Sequence, residues 1–168
     1  AAMKLLIWVI RGTPLMLQII VVFYGPGLIF GLDGLDRFPA VLIAFVLNYA
    51  CYFSEIYRGG IESISRGQYE AGAVLGLSKS QVFRKIIFKQ VVQRIVPPMS
   101  NEIITLIKDT ALANCIMVCE IIKNAKELAA TKALIWPLFF TGVFYLVFVG
   151  ILTVVLNKAE KKLSYFRS

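Results

Sequence analysis

Glu55, Glu102 and Asp109 lie within or beside stretches that are otherwise apolar enough for a lipid bilayer. Carboxylates are costly to desolvate at membrane depth, so they mark ligand, ion or proton contacts there, or pair with one another. Glu102 and Asp109 are seven residues apart, two helical turns, so one face of one helix presents both. Asn101, Thr105 and Thr110 add polar groups beside them, and Cys51 stands one turn before Glu55 on what would be the same wall. These residues are the candidate binding groups. The structural alternative pairs Glu102 with Arg94 or with a neighbouring subunit, and has Lys108 and Asp109 balance charge near a helix bend. The residues alone allow either.

Other chemistries lack a carrier. The 168 residues contain no histidine, which excludes histidine acid/base catalysis and histidine metal ligation by this chain. Cys51, Cys115 and Cys119 form no paired zinc spacing and read as small hydrophobes. No G-x-x-x-x-G-K-[ST] loop occurs, so if ATP is used another chain binds it. No catalytic residue, cofactor or metal is therefore expected here.

The elements that must position those acids are membrane helices. The chain is 58% hydrophobic with a mean hydropathy of +0.75, beyond what a soluble domain of this length carries. Windows of about 20 apolar residues occur at Leu5–Phe23, Pro39–Tyr57, Ile95–Val118 and Ile135–Leu156. The first is interrupted by Arg11, Gly12 and Pro14, which read as a helix start with Arg11 snorkelling to headgroups, or alternatively as a proline-bent entry on the cytoplasmic side. The third, which carries Glu102, Lys108 and Asp109, must face protein or water. Trp8, Tyr24 and Trp136 read as interfacial anchors. The fold expected is all-α, one transmembrane domain over residues 1–168 with about four spans.

Lysine and arginine orient those spans. Arg58, Arg66, Lys79, Arg84, Lys85, Lys89 and Arg94 face only Glu62 and Glu70 in the second loop, and the tail adds Lys158, Lys161, Lys162 and Arg167. By the positive-inside rule both are cytoplasmic, the chain starts inside, and Gly25–Arg37 and Lys123–Lys132 lie outside. The opening Ala1-Ala2-Met3 reads as a truncation.

The second loop has an unusual order of parts. Gln68–Leu75 suits a short helix whose Ala71, Gly72 and Ala73 leave little side-chain bulk, and Gly76 can end it. Ser78 with Gln81 forms a capping-box pattern that opens a second helix, which Pro97-Pro98 should end. On that helix Val82, Phe83, Ile86, Ile87 and Val91 gather on one side, and Arg84, Lys85 and Lys89 on another. It reads as amphipathic, lying on the inner membrane surface against anionic headgroups.

The order Glu70-Ala71-Gly72, Gly76, Ile86 resembles the signature loop of bacterial ABC-importer membrane subunits: E-A-A, three residues, G, nine residues, I, any residue, L-P. Here the third Ala is Gly72, and Phe88-Lys89 stands where L-P is expected. "RGTPLMLQ" (Arg11–Gln18), "SEIYRGGIESISRGQYEAG" (Ser54–Gly72) and "PPMSNEIITLIKDTAL" (Pro97–Leu112) resemble the polar amino-acid uptake branch, in that family's order. "NCIMVCEI" (Asn114–Ile121) departs from the family's wording, and the chain reads as the last four of the family's usual five helices.

The resemblance implies a type I importer permease of the bacterial inner membrane with a cytoplasmic C-terminus. Its partners would be two ATPase subunits carrying ATP and Mg, a second permease copy or sister permease, an extracellular or periplasmic amino-acid-binding protein, and membrane lipid, but no nucleic acid. It makes residues 58–96 a cytoplasmic coupling loop in which Glu70, Ala71, Gly72, Ala73, Leu75 and Gly76 dock on the ATPase, the small residues seating in its groove. It also makes Glu55, Glu102 and Asp109 candidates to meet a substrate ammonium group. The rival is an ion-coupled carrier in which these acids bind sodium or relay protons, for which inverted repeats would be the sign. No convincing internal repeat is visible.

Overall fold

The computed structural model describes residues 2–164, all of its regular structure helical. Helix α1 (Ala2–Gly12) and α2 (Leu15–Phe30) are followed by α3 (Arg37–Glu62) and the short α4 (Arg66–Val74). Next, α5 (Lys79–Val82) runs through a π-helical turn, Phe83–Ile87, into α6 (Phe88–Asp109), which tightens into a 3₁₀ segment, Thr110–Ile116. Helices α7 (Ile121–Lys132) and α8 (Trp136–Ser164) follow. Arg167, counted above with the basic tail, lies outside the described residues.

Among the described residues, two helices are long and apolar enough to cross a bilayer unaided, α3 and α8. The first expected span is not one straight helix: α1 and α2 meet at 108° around Thr13-Pro14 and together have the length and apolarity of one broken span. Pro14 is extended (φ −62°, ψ 135°) and occupies the residue before α2, where its missing N–H costs nothing. The bend is held by Gln18, whose Nε2 donates to the carbonyls of Ile10 (2.7 Å) and Thr13 (3.1 Å) and to Thr13 Oγ1 (2.9 Å). Buried Asn48 of α3 then donates to Gln18 Oε1 at 3.0 Å. Arg11 does not snorkel freely. Its guanidinium lies over the Tyr52 ring, 5.0 Å from the centroid.

Pro97 and Pro98 do not end the second-loop helix; both lie inside α6. Proline is tolerated within membrane-protein helices, where hydroxyl side chains and neighbouring helices take over backbone groups. The third expected span is continuous α-helix only to Asp109; Met117 is left-handed (φ 61°), and Glu120 starts α7 by accepting from the N–H groups of Ile122 (2.7 Å) and Lys123 (2.6 Å).

The chain divides into two compact units. One comprises residues 1–52 and 104–152, the other 53–103 and 153–168. In the first, α2 packs against the 3₁₀ segment and buries Leu15, Ile19, Ala113 and Ile116. In the second, Ile64, Val82, Ile87 and Val91 form a core flanked by Leu77, Ile86 and Ile95. The apolar stripe of the basic helix is therefore spent on its own chain rather than laid on a membrane surface. The π turn is why Phe83 drops out of that stripe and stays 40% exposed while Val82 and Ile87 go in.

Candidate functional site

The short helix after α3 has the geometry of a projecting knob. Gly76 adopts φ +71°, its N–H donates to Ala73 O at 2.9 Å, and the Leu77 N–H donates to Gly72 O at 3.1 Å, the paired bonds of a Schellman stop. Leu77 turns into the core, which leaves Val74 and Leu75 pointing outward at 87% and 74% exposure. Glu70, Ala71 and Ala73 are exposed beside them. The capping box forms as well: Gln81 N donates to Ser78 Oγ (3.4 Å) and Ser78 N to Gln81 Oε1 (2.9 Å).

Gly72 sits differently from the other small residues. It is the buried residue of α4, and a Cβ there would fall 2.5 Å from Val82 Cγ2. The space beside it is filled by this chain's own α5, so its lack of a side chain serves the α4–α5 contact. Sequence spacing placed it in an Ala/Gly patch without telling which member faces inward.

The acids separate into three environments. Asp109, at the end of α6, accepts a hydrogen bond from the Tyr49 hydroxyl at 2.8 Å. Tyr49 is buried and stacks with Phe45, ring centroids 6.1 Å apart, while Tyr52 lies 6.4 Å away on the same face of α3. Glu55 is paired within its own helix: Arg58 Nη2 approaches Glu55 Oε2 at 2.5 Å and Nη1 approaches Glu62 Oε2 at 2.7 Å. Glu102 is half-buried, Asn101 exposed and Thr105 half-buried on α6. Arg94 does not pair with Glu102; it donates to the carbonyl of Ser63, just past the end of α3. Cys51 is buried on α3.

Tyr49, Gln18 and Asn48 were not legible as site residues. Tyr49 lies 60 residues before its partner Asp109, and nothing at short range signals the meeting. The available signal was weak: a polar Asn-Tyr pair inside the apolar window 39–57.

Comparison with known proteins gives a consistent family. "Binding-protein-dependent transport system inner membrane component" matches residues 1–165. The arginine transport system permease protein ArtQ of Bacillus subtilis is 38% identical over 156 residues, 92% of this chain and 71% of ArtQ. The L-cystine permease protein TcyB of the same organism is 43% identical over 122 residues, 72% of this chain and 51% of TcyB. The glutamine permease protein GlnP of Escherichia coli is 35% identical over 158 residues, covering 92% and 71%. A crystal structure of an amino acid ABC transporter with histidines superimposes with a TM-score of 0.85 at 28% identity, over 95% of this chain and 74% of that one.

Proposed function

Because the chain belongs to the binding-protein-dependent transport system inner membrane components, as the permease subunit of an ATP-driven amino-acid importer, we propose that α4 is its contact with the ATPase and that Asp109 addresses the cargo. Membership of this family implies an ATPase and a binding protein as partners, and it does not favour the ion-coupled carrier. Two ATPase subunits and a second permease, identical or sister, complete the proposed assembly. The basic second loop and tail lie on the cytoplasmic side of a bacterial inner membrane.

The observation that carries the coupling reading is the exposed apolar tip. Val74 and Leu75 project from a helix fixed at one end by a Schellman stop and at its flank by Gly72 on Val82. A rigid apolar knob flanked by small side chains seats in a groove with little ordering cost. Glu70, Ala71, Ala73 and Gly76 edge it, with Gly72 acting from beneath.

For the cargo, the relatives' names cover arginine, cystine and glutamine, whose side chains share little chemistry. What they share is the α-ammonium and α-carboxylate. A carboxylate oriented by a buried tyrosine suits the ammonium group. Glu102, Asn101 and Thr105 extend the polar face of the same helix, while Glu55 and Cys51 on α3 have the weaker case, Glu55 because Arg58 already neutralises it. The test is uptake of a labelled amino acid by proteoliposomes holding the chain with its ATPase and binding protein. Uptake should require ATP, and Asp109→Asn should raise KM about tenfold, the scale of one charge-assisted hydrogen bond. ATP-independent uptake driven by a sodium or proton gradient would sink the proposal.

A further inference from the structure

Two adjacent side chains near the start of α6 each reach the carboxyl end of a different helix. Arg94 donates to the carbonyl of Ser63, the residue immediately after α3. Gln93 Nε2 donates to the carbonyl of Leu163, in the last turn of α8, at 2.9 Å. The last carbonyls of a helix have no partner within it and carry the negative end of its dipole, so a guanidinium or amide donor there is both a cap and an anchor. The α3 end is closed by further bonds: Ser63 Oγ donates to Gly60 O at 2.6 Å, and Ser63 N to Gly59 O at 3.0 Å. Gly60 itself is buried, and a Cβ there would run into Ile95 of α6. A few residues earlier on the same stretch, Val82, Ile87 and Val91 hold α4 and Ile64 in one core.

We propose that Gln93 and Arg94 are positioning residues that carry displacement of α4 to the carboxyl ends of α8 and α3. The inference rests on the reading of α4 as the ATPase contact and extends it to the next link. Movement received at Val74 and Leu75 passes through Gly72–Val82 into the helix that bears the pair. Hydrogen bonds to backbone carbonyls are suited to this, because the acceptor is the helix end itself and only the donor side chain has to keep its rotamer. Arg94 binds one helix and Gln93 the other, about 100° apart around α6, so one movement of α6 displaces both.

The test measures ATP hydrolysis and amino-acid uptake together in proteoliposomes of the complete transporter. Arg94→Met and Gln93→Leu keep side-chain bulk and remove the donors. Each should leave ATP hydrolysis near wild type and lower uptake per ATP about tenfold, the scale of one lost charged or buried hydrogen bond. Arg94→Lys, which can still donate to a carbonyl, should restore most of it; a purely structural role would instead lower the yield of assembled complex with uptake per ATP unchanged. Spin labels at Ile61 and Lys89 of the otherwise wild-type chain give a second readout that needs no bracket variant: their separation should hold across nucleotide states. Unchanged uptake per ATP in Arg94→Met and Gln93→Leu, or a change in label separation of about one helical turn, overturns the proposal. The variant Val74→Asp/Leu75→Asp separates the two readings. If it uncouples while the Gln93 and Arg94 variants do not, the bracket alone fails; if none of them uncouples, the coupling role of α4 fails too.

Discussion

At Gly72 helix propensity and packing pull in opposite directions. Helix propensity favours alanine by about 1 kcal/mol at such a position, yet Val82 fills the place a methyl would take. Valine is stiff at χ1 and cannot swing aside cheaply. Gly72→Leu is therefore expected to destabilise the assembled complex by about 1–3 kcal/mol through overpacking, read as a lower thermal midpoint in detergent. Gly72→Leu/Val82→Ala, which clears the side chain in the way, should recover part of the loss. If Gly72→Leu lowered coupling with no change in stability, the residue would face the partner instead. At the same scale, Tyr49→Phe removes the hydroxyl that holds Asp109 and should raise KM for uptake severalfold at nearly constant kcat, a fraction of the about 1.5–3 kcal/mol that one neutral-to-charged hydrogen bond contributes, because Tyr49 acts through Asp109. Equal KM values would detach Tyr49 from the cargo.

Among the elements, what could be read from sequence was whatever local chemistry decides. The capping box at Ser78, the stop at Gly76 and the long apolar α3 and α8 need only neighbours in sequence. What could not be read depended on distant partners. Pro97-Pro98 reads as a stop by local rules, but membrane-protein helices accommodate proline where other groups take up the freed backbone. Pro14 marks a bend in the Leu5–Phe23 window by local rules, but Gln18 reaching back to Ile10 is what holds it at 108°. The π turn is invisible to a 3.6-residue periodicity and shifts Phe83 off the buried stripe. A direct consequence concerns the bend. Gln18→Leu leaves buried Asn48 without its amide partner and should cost about 1–3 kcal/mol. The double variant Gln18→Leu/Asn48→Leu should cost less than the sum of the single changes, as a coupled pair requires; additive losses in a thermal unfolding cycle would show that the two side chains act independently.

For the whole molecule, the exposed apolar surface defines what the chain must meet. Only 6% of the most apolar window of α8 is buried, and Phe139, Phe140, Phe144, Leu146 and Val147 lie open along it. In a membrane subunit that surface belongs to lipid or to another permease. Val74 and Leu75 are a separate exposed apolar patch on the short helix between two basic stretches. In the proposed assembly this patch meets the ATPase. The direct measurement is crosslinking from a cysteine at Ala73, exposed beside the tip, in a chain with Cys51, Cys115 and Cys119 replaced, to the co-expressed importer ATPase. A crosslink whose yield changes when ATP is added is the expected result. A correctly inserted chain that gives no crosslink with or without ATP would contradict it.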